Sequence, residues 1–291
     1  MDLQVLDRLE LTQAVLSLRA YREAVKLSAF NKKFLSIISF AGQFPIMKRL
    51  IALLLVTGLF SCKKENKRVI TYFPGKQNIH ENYFVKADSP DVKEGPYLLY
   101  SEEGKLVERR KYSSNKIVDT LLKYYPSGKI SEMAMFADGV QNGERKVFFE
   151  SGQTMVVEHY KNGEFEGAYS TFFEDGKKDQ EGQYAKNAMD GLWKYYYDTG
   201  ELKEEVFFAN NDENGPYKSY YKSGKIKDVG SYEGGAQSGN WKTFYENGNL
   251  MKEANYLSGK PDGVVNYYDE NGKLTRIENW KDGEMANSQK H

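Results

Sequence analysis

Residues 191–200 read GLWKYYYDTG, and residues 239–248 read GNWKTFYENG. Each stretch opens with glycine, has tryptophan two residues later, continues with aromatic residues and ends at a second glycine. Aromatic residues favour pleated strands, and glycine supplies the positive φ that a tight hairpin loop requires. The two stretches therefore predict β-hairpins of the same design.

The opening glycine of these stretches recurs at a fixed interval. It returns every 24 residues, and the same frame extends upstream to Gly95, with Asp119 in the glycine position between them. Recurrence at one period is the signature of a repeat protein. We therefore predict eight hairpin units over residues 95–286. The repeated glycines are Gly143, Gly167, Gly191, Gly215, Gly239 and Gly263.

The second strand of each unit follows a glycine-containing turn. It begins with an aliphatic residue and reaches an aromatic residue six positions later, as Leu106 and Tyr112 show. An even separation places both side chains on one face of a strand. The turn that closes each unit is less regular in composition, from Asp138-Gly139 to the polar run at residues 211–214. In the last unit Tyr267-Tyr268 arrives one residue early, which predicts a longer turn at residues 269–272.

A single hairpin of this size buries too little apolar surface to be stable alone. Stacked end to end, the units form an elongated, twisted antiparallel sheet in which aromatic residues of successive units contact each other. The sequence thus predicts an all-β fold of tandem 24-residue β-hairpin repeats, preceded by a helical signal segment. Residues 70–94 are expected to form an N-terminal cap of degenerate strands, and residues 287–291 a tail.

Composition agrees with this fold and narrows the function. The chain has 22 Tyr, 16 Phe and 26 Gly but only 7 Pro, a mixture that favours strands separated by glycine turns. Lys plus Arg and Asp plus Glu are equal at 41 each, so no net field attracts nucleic acid. The one cysteine excludes an intramolecular disulfide and the CxxC metal frameworks.

Residues 47–67 read MKRLIALLLVTGLFSCKKENK. A basic start, an apolar run and then Ser61-Cys62 follow the order of a signal peptide over residues 47–61. The apolar run has 11 residues, whereas a spanning helix needs about 20. Residues 59–62 resemble the bacterial lipobox, and this resemblance implies that Cys62 is lipidated and begins the mature protein. The alternative is a buried core helix with an incidental cysteine.

Residues 1–46 precede this signal peptide, where export would not tolerate them. We interpret them as a misassigned upstream start, although helical periodicity between Leu3 and Leu27 leaves an amphipathic membrane-surface helix as the alternative. Residues 62–69 form a polar tether. Two or more acyl chains anchor stably where one does not, so we expect a membrane-anchored envelope lipoprotein, on the periplasmic or outer-membrane side.

The repeats resemble a known family. The two decapeptides quoted first, with Tyr-Lys-Asn-Gly at 160–163, look like the MORN-repeat variant of bacterial proteins often labelled YwqK-type antitoxins. The resemblance covers roughly residues 95–284. It implies the hairpin-repeat fold, and the label implies a role as an antitoxin or immunity protein.

Chemistry typical of enzymes is not indicated. The three histidines, His80, His159 and His291, do not recur with the repeat, so they do not form a triad or a metal site. His159 is expected on the face opposite Tyr160, in contact with solvent. Glycine clusters such as Gly234-Gly235 lie at hairpin turns without a following helix to bind phosphate. We therefore predict no catalytic residue, no metal and no cofactor.

Three functions remain open. A protein-interaction or scaffold lipoprotein fits every feature, with the membrane and a protein as partners and no role for nucleic acid. A glycan or lipid-headgroup binder would use exposed Tyr and Trp rings. An antitoxin would mask a toxin. We expect most rings to pack between neighbouring hairpins, and the sequence singles out no binding residue besides the lipid attachment at Cys62.

Overall fold

The computed structural model describes residues 65–291, and in this part the chain folds into β-strands joined by short loops. The strands are β1 (Lys67–Tyr72), β2 (Ile79–Lys86), β3 (Ser89–Tyr100), β4 (Leu106–Ser113), β5 (Lys116–Tyr124), β6 (Ile130–Ala137), β7 (Val140–Phe148), β8 (Thr154–Lys161), β9 (Glu164–Phe165), β10 (Gly167–Phe172), β11 (Lys178–Ala185), β12 (Ala188–Tyr196), β13 (Leu202–Ala209), β14 (Asp212–Tyr220), β15 (Ile226–Glu233), β16 (Ala236–Phe244), β17 (Leu250–Leu257), β18 (Lys260–Pro261), β19 (Gly263–Tyr268), β20 (Leu274–Lys281) and β21 (Glu284–Lys290).

All strands belong to one antiparallel sheet of 21 strands in which each strand pairs with its neighbours along the chain. Two interruptions divide single strands: β9 and β10 both pair with β8, and β18 and β19 both pair with β17. The sheet is open, with β1 and β21 at its edges. This architecture confirms the all-β, tandem-hairpin fold that the sequence predicts.

The loop inside each repeat has three residues and ends in glycine. In the loop after β5, the Tyr125 amide donates to the Lys129 carbonyl at 2.8 Å, and the Gly128 amide donates to the Tyr125 carbonyl at 2.8 Å. Gly128 has a φ of 85°, the left-handed conformation that this loop type requires. The same bonding pattern recurs at Gly200, Gly248 and Gly272.

The loop between repeats has two residues, both with positive φ, as in the type I′ hairpin turn. Asn162 and Gly163 have φ values of 54° and 86°, and Asn210 and Asn211 have 54° and 73°. The composition of this turn is irregular, as the sequence indicates, but its geometry is the same whether the second residue is Gly or Asn. The polar run at residues 211–214 is mostly strand, because β14 begins at Asp212.

The last unit also keeps the frame. Tyr268 pairs with Leu274 as Phe244 pairs with Leu250, and the Asp269 amide donates to the Lys273 carbonyl at 2.9 Å in the usual three-residue loop. The expected longer turn is therefore wrong, although the aromatic pair Tyr267-Tyr268 does lie one residue early in the frame. Tyr267 instead occupies the position that Thr243 has one repeat earlier.

The ends of the sheet extend beyond the boundaries expected from sequence. Strand β1 begins at Lys67, inside the expected tether, and β21 includes most of the expected tail. Strands β1, β2 and the start of β3 occupy residues 70–94. The interpreted start region at residues 1–46, the signal peptide at residues 47–61 and Cys62 lie outside the described residues. No helix of membrane-spanning length and hydropathy occurs within residues 65–291.

Substitution of a repeat glycine tests whether stability depends on the positive φ at that position. Gly215 has a φ of 119°, which L-residues rarely adopt, and an added Cβ would lie 3.3 Å from Cβ of Phe207. We expect Gly215→Ala to lower stability by about 1–3 kcal/mol, measured by urea denaturation. Asp119 already adopts a φ of 69° at the equivalent position, so Asp119→Gly is the matched control and should cost no stability. Equal midpoints for wild type and Gly215→Ala would contradict this account.

Candidate interaction surface

Alternation of side chains along the strands gives the sheet two faces. The aromatic face carries the large residues that stand two positions after the repeat glycine, such as Tyr97, Trp193 and Trp241. The opposite face carries charged pairs such as Lys194 and Glu205, 3.7 Å apart. The buried apolar side chains of the repeats lie on the aromatic face, which therefore holds the core of this one-layer sheet.

In several hairpins, a large side chain on the first strand of the aromatic face opposes a small one on the second. Trp193 pairs with Val206, and Trp241 pairs with Ala254. Trp193 and Val206 are each 1% exposed, and Trp241 is 8% exposed. The indole rings are thus part of the core, as expected for rings that pack between neighbouring hairpins.

Two glycines let these indoles lie directly against the backbone of the preceding repeat. A Cβ on Gly182 would lie 2.2 Å from Cδ2 of Trp193, and a Cβ on Gly230 would lie 2.2 Å from Cδ2 of Trp241. No side chain fits in that space. Both glycines sit where the strand pairing is shifted by a bulge, which is where close approach of another group is commonly accommodated.

Neighbouring rings complete the packing of each indole. Tyr184 meets Trp193 edge-on with ring centroids 5.2 Å apart, and Tyr232 meets Trp241 in the same way at 5.1 Å. Tyr217 lies at 5.2 Å from Trp241 with a tilt of 32°. Such distances and angles are favourable for aromatic pairs. Each repeat therefore contributes rings to the core of the next.

Gly182→Ala is expected to destabilise the protein by about 1–3 kcal/mol, because the new methyl group overlaps the Trp193 ring and must displace it. In a Trp193→Leu background the same substitution should cost less, because the smaller side chain leaves room. Urea denaturation of the four proteins, with near-ultraviolet circular dichroism for the indole, measures this coupling. Equal costs in the two backgrounds would show that the ring is not what Gly182 accommodates.

An ion-pair cluster replaces the aromatic residue in one repeat. Arg145 takes the large position, and its guanidinium is 2.5 Å from Glu158 and 2.9 Å from Glu132. Burial opposes the charge of Arg145, but hydrogen bonds to both carboxylates raise its pKa. Tyr160 donates to Glu158 at 2.9 Å, and burial together with Glu158 raises the pKa of Tyr160 to about 12. A buried charge is thus retained because hydrogen-bonded partners surround it.

Near the three-residue loops, tyrosine hydroxyls connect consecutive repeats. Each donates to the backbone carbonyl 23 residues later, as Tyr197 does to Tyr220 at 2.8 Å and Tyr221 does to Phe244 at 2.6 Å. Tyr125 and Tyr245 make the equivalent bonds, to Phe148 at 2.6 Å and Tyr268 at 2.9 Å. These bonds fix the register between hairpins. Phe149 and Phe173 hold the same position without a hydroxyl.

Two carboxylates near the middle of the aromatic face have no cationic partner. Neither Glu204 nor Glu213 has a basic group within ion-pair distance in the described part of the chain. Burial, followed by the charge of Glu213, raises the pKa of Glu204, and burial raises the pKa of Glu213. Burial and the neighbouring Glu204 charge raise the pKa of Tyr195 to about 12. The centre of this face is therefore acidic and partly dehydrated.

Glu204→Gln is expected to raise stability at neutral pH. The folded-state pKa of Glu204 is raised, so the folded protein favours the protonated carboxyl, and its stability falls as the pH rises through that pKa. The variant should match wild type below the unfolded-chain pKa of about 4.3 and exceed it at about pH 7. Urea denaturation at both pH values measures the difference.

Glu205→Gln is the matched control for that substitution. Glu205 lies next in sequence but on the opposite face, where it accepts from Tyr220 at 2.7 Å and pairs with Lys194. Losing these partners should leave stability unchanged or lower. An increase of stability in Glu205→Gln, or none in Glu204→Gln, would contradict the electrostatic account.

The histidines do not converge. His80 stacks on Phe73 with ring centroids 4.4 Å apart, His159 contacts the Ala168 carbonyl at 2.8 Å through Nδ1, and His291 is exposed. Within residues 65–291, no group of three or more His, Cys, Asp or Glu side chains is placed to hold a metal ion.

Sequence reasoning did not identify the acidic centre of the aromatic face. Glu204, Glu213 and Asp228 belong to different strands, and the repeat positions that they occupy hold polar residues in some units and apolar ones, such as Val156 and Ile117, in others. The repeat frame does contain one indication of this site. At the position that holds Tyr195 and Tyr267, the two units between them hold the small residues Ser219 and Thr243.

Comparison with known families agrees with the hairpin geometry. The family model described as MORN repeat variant matches six consecutive segments, residues 141–162, 165–186, 189–210, 213–233, 237–257 and 261–282. The chain carries MORN repeats. Each matched segment covers both strands of one hairpin, as residues 189–210 cover β12 and β13, so the family repeat and the structural repeat coincide. No curated protein matches the chain.

Several solved structures resemble the MORN-repeat chain at low identity. The crystal structure of TcdB2-TccC3 is 12% identical over 76% of this chain, with a TM-score of 0.17. The Photorhabdus luminescens Tc holotoxin pore is 11% identical over 74%, with a TM-score of 0.20. In both cases this chain spans 14% of the other. A porin-like protein from Bacteroides uniformis is 10% identical over 78% of this chain and 96% of its own, with a TM-score of 0.17.

Proposed function

We propose that this protein is an envelope lipoprotein, anchored through Cys62, whose MORN-repeat sheet acts as a protein-interaction or scaffold module. The supporting observation is the one-layer architecture. Over residues 65–291, only nine apolar and three polar side chains are buried. Both faces of a long sheet therefore remain available to a partner, and function by binding rather than by catalysis suits such a surface.

Exposed apolar side chains on the opposite face add to this support. Met135 is 45% exposed, Phe207 is 37% exposed and Val264 is 46% exposed. Each is next in sequence to a core residue, Ala134, Val206 or Val265, so all three point away from the core. Interfaces are enriched in Met and aromatic residues relative to the remaining surface.

The anchor is tested by metabolic labelling with palmitate and by membrane fractionation. Cys62→Ala should lose the label and leave the membrane fraction, because the acyl chains attach to that sulfur. Ser61→Ala keeps a small residue before the cysteine and should retain both. Labelling that persists in Cys62→Ala would refute the lipoprotein proposal.

The interaction function is tested by photo-cross-linking in cells. A benzoylphenylalanine at Gln237 probes the aromatic face, one at Lys218 probes the opposite face, and one at Asn247 probes a loop as the control. A discrete protein adduct from one face, and none from the loop, is expected of a specific partner. Absence of an adduct from both faces would contradict a protein-interaction role.

A further inference from the structure

Three carboxylates surround Tyr217 on the aromatic face, and we call them the acidic patch: Glu204, Glu213 and Asp228. Cross-strand pairing places Glu204 opposite Ser219 and Ser219 opposite Asp228 in one row across the sheet. Glu213 lies two positions before Gly215 on the same strand as Tyr217. The electrostatic influence of Glu204 and Asp228 on Tyr217, and of all three on Tyr232, reflects this proximity.

Elsewhere on the aromatic face, several buried or half-buried carboxylates have a cation as partner. Glu132 is 3.0 Å from Lys123, Glu158 is 2.5 Å from Arg145, and Glu278 is 3.2 Å from Arg276. Within the described chain, no member of the acidic patch has a Lys, Arg or His nitrogen within 4.0 Å. Three carboxylates without a cation thus lie together on strands β13 to β15, whereas Glu81 on β2, which also has none, lies apart and accepts from the Thr71 and Tyr97 hydroxyls.

A notch opens beside the acidic patch, next to Thr243, one of two small residues in the row of side chains that crosses the patch. The row runs Tyr195, Glu204, Ser219, Asp228, Thr243, Lys252 and Tyr267. Ser219 and Thr243 stand at the positions that tyrosine fills at both ends of this row. The notch is a cavity of about 200 Å³ whose lining includes Asp228, Thr243 and the rings of Tyr217, Tyr232, Trp241 and Tyr256.

Asp228 is held in place at this notch by neutral donors. Ser219 donates to Oδ2 and Thr243 donates to Oδ1, each at 2.7 Å. A carboxylate has about four lone-pair sites, so each oxygen can accept a further bond. Two hydroxyls thus orient a charged acceptor that stays free to pair with a cation.

In other repeats of this chain, an arginine side chain lies over the tyrosine ring. The Arg276 guanidinium lies 4.0 Å from the centre of the Tyr267 ring, and the Arg110 guanidinium lies 4.3 Å from that of Tyr97. Aromatic faces attract cations, most strongly where the site is desolvated. Opposite Tyr217 the corresponding residue is Gly230, and the Trp241 ring lies there instead of a cationic side chain, so the face keeps its rings without a charge of its own.

We infer that the notch beside Tyr217 and Trp241 receives a lysine or arginine side chain of a basic protein segment, whose cation pairs with Asp228 and whose neighbouring cations pair with Glu204 and Glu213. The inference rests on the proposed interaction function and names the chemistry of the partner. A basic segment supplies the positive charge that this part of the sheet lacks, which is the electrostatic complementarity that gives interfaces their specificity.

Lys252 limits the site on its C-terminal side. Its Nζ donates to the Tyr256 hydroxyl at 3.0 Å and lies at the edge of the same cavity. The next residues along the row are Tyr267 and Arg276, so the surface turns cationic there. A basic segment should therefore run from Asp228 toward Glu204, away from Lys252.

The test is a fluorescence titration of the full-length protein with a peptide of alternating arginine and glycine. Trp241 lines the notch, so its emission reports occupancy. A peptide of alternating glutamate and glycine is the charge control, and chitotriose tests a neutral glycan. The basic peptide should bind more weakly as salt is added, since salt screens exposed charges.

Variants distinguish this site from general attraction to negative charge. The triple variant Glu204→Gln, Glu213→Gln, Asp228→Asn should weaken peptide binding by about tenfold or more. The variant Glu205→Gln with Glu253→Gln removes charges from the opposite face and should leave the dissociation constant unchanged. Lys252→Gln should strengthen binding, because it removes a repelling charge. Circular dichroism checks that each variant is folded.

The inference is overturned if the triple variant binds the basic peptide as tightly as wild type, if both charge-removing variants weaken binding equally, or if chitotriose binds and the peptide does not. A discrete cross-linked partner that survives the triple substitution would leave the proposed interaction function standing and refute only the acidic patch. Absence of any cross-linked partner in the protein without the triple substitution would instead refute the proposed function.

Discussion

The rest of the structure depends on one steric constraint: each indole ring packs against a glycine of the preceding repeat, where no side chain can be present. Trp193 lies where a Cβ on Gly182 would be, and Trp241 lies where one on Gly230 would be. A one-layer sheet has no second layer to cover its apolar residues, so burial has to come from side chains lying flat on their neighbours. Each hairpin can do this only if the preceding one leaves the space open.

Stability in such a sheet comes from contacts between neighbours. Rings of one repeat pack on the next, and tyrosine hydroxyls near the loops donate to the carbonyl of the following hairpin, as Tyr221 does to Phe244. This arrangement approximates a sum of nearest-neighbour interactions. It also tolerates local substitution, because the Arg145 cluster satisfies its own charges without altering the frame.

Functional character arises where one repeat differs from its neighbours. The notch is lined by Thr243, which is small where Tyr195 and Tyr267 are large. The acidic patch remains unpaired because no Lys, Arg or His nitrogen in the described part of the chain lies within 4.0 Å of its carboxylates. Packing of the neighbouring rings still holds the strands in register, so these departures change the surface without disturbing the backbone. A regular scaffold can thus carry a specific charge pattern at a chosen place along its length.

The sequence by itself determined the fold class, the period and both strands of each hairpin, because aromatic, glycine and aliphatic residues recur in one frame and their spacing is a local property. It could not show that Asn210-Asn211 makes the same turn as Asn162-Gly163. Both pairs adopt positive φ because the two paired strands that they join fix the geometry of the turn. It also left open which carboxylates meet. Glu204, Glu213 and Asp228 come together only through cross-strand register, and whether each finds a cation depends on side chains from other strands. Tertiary structure decided that, because electrostatic partnership depends on distance in space rather than on position in the chain.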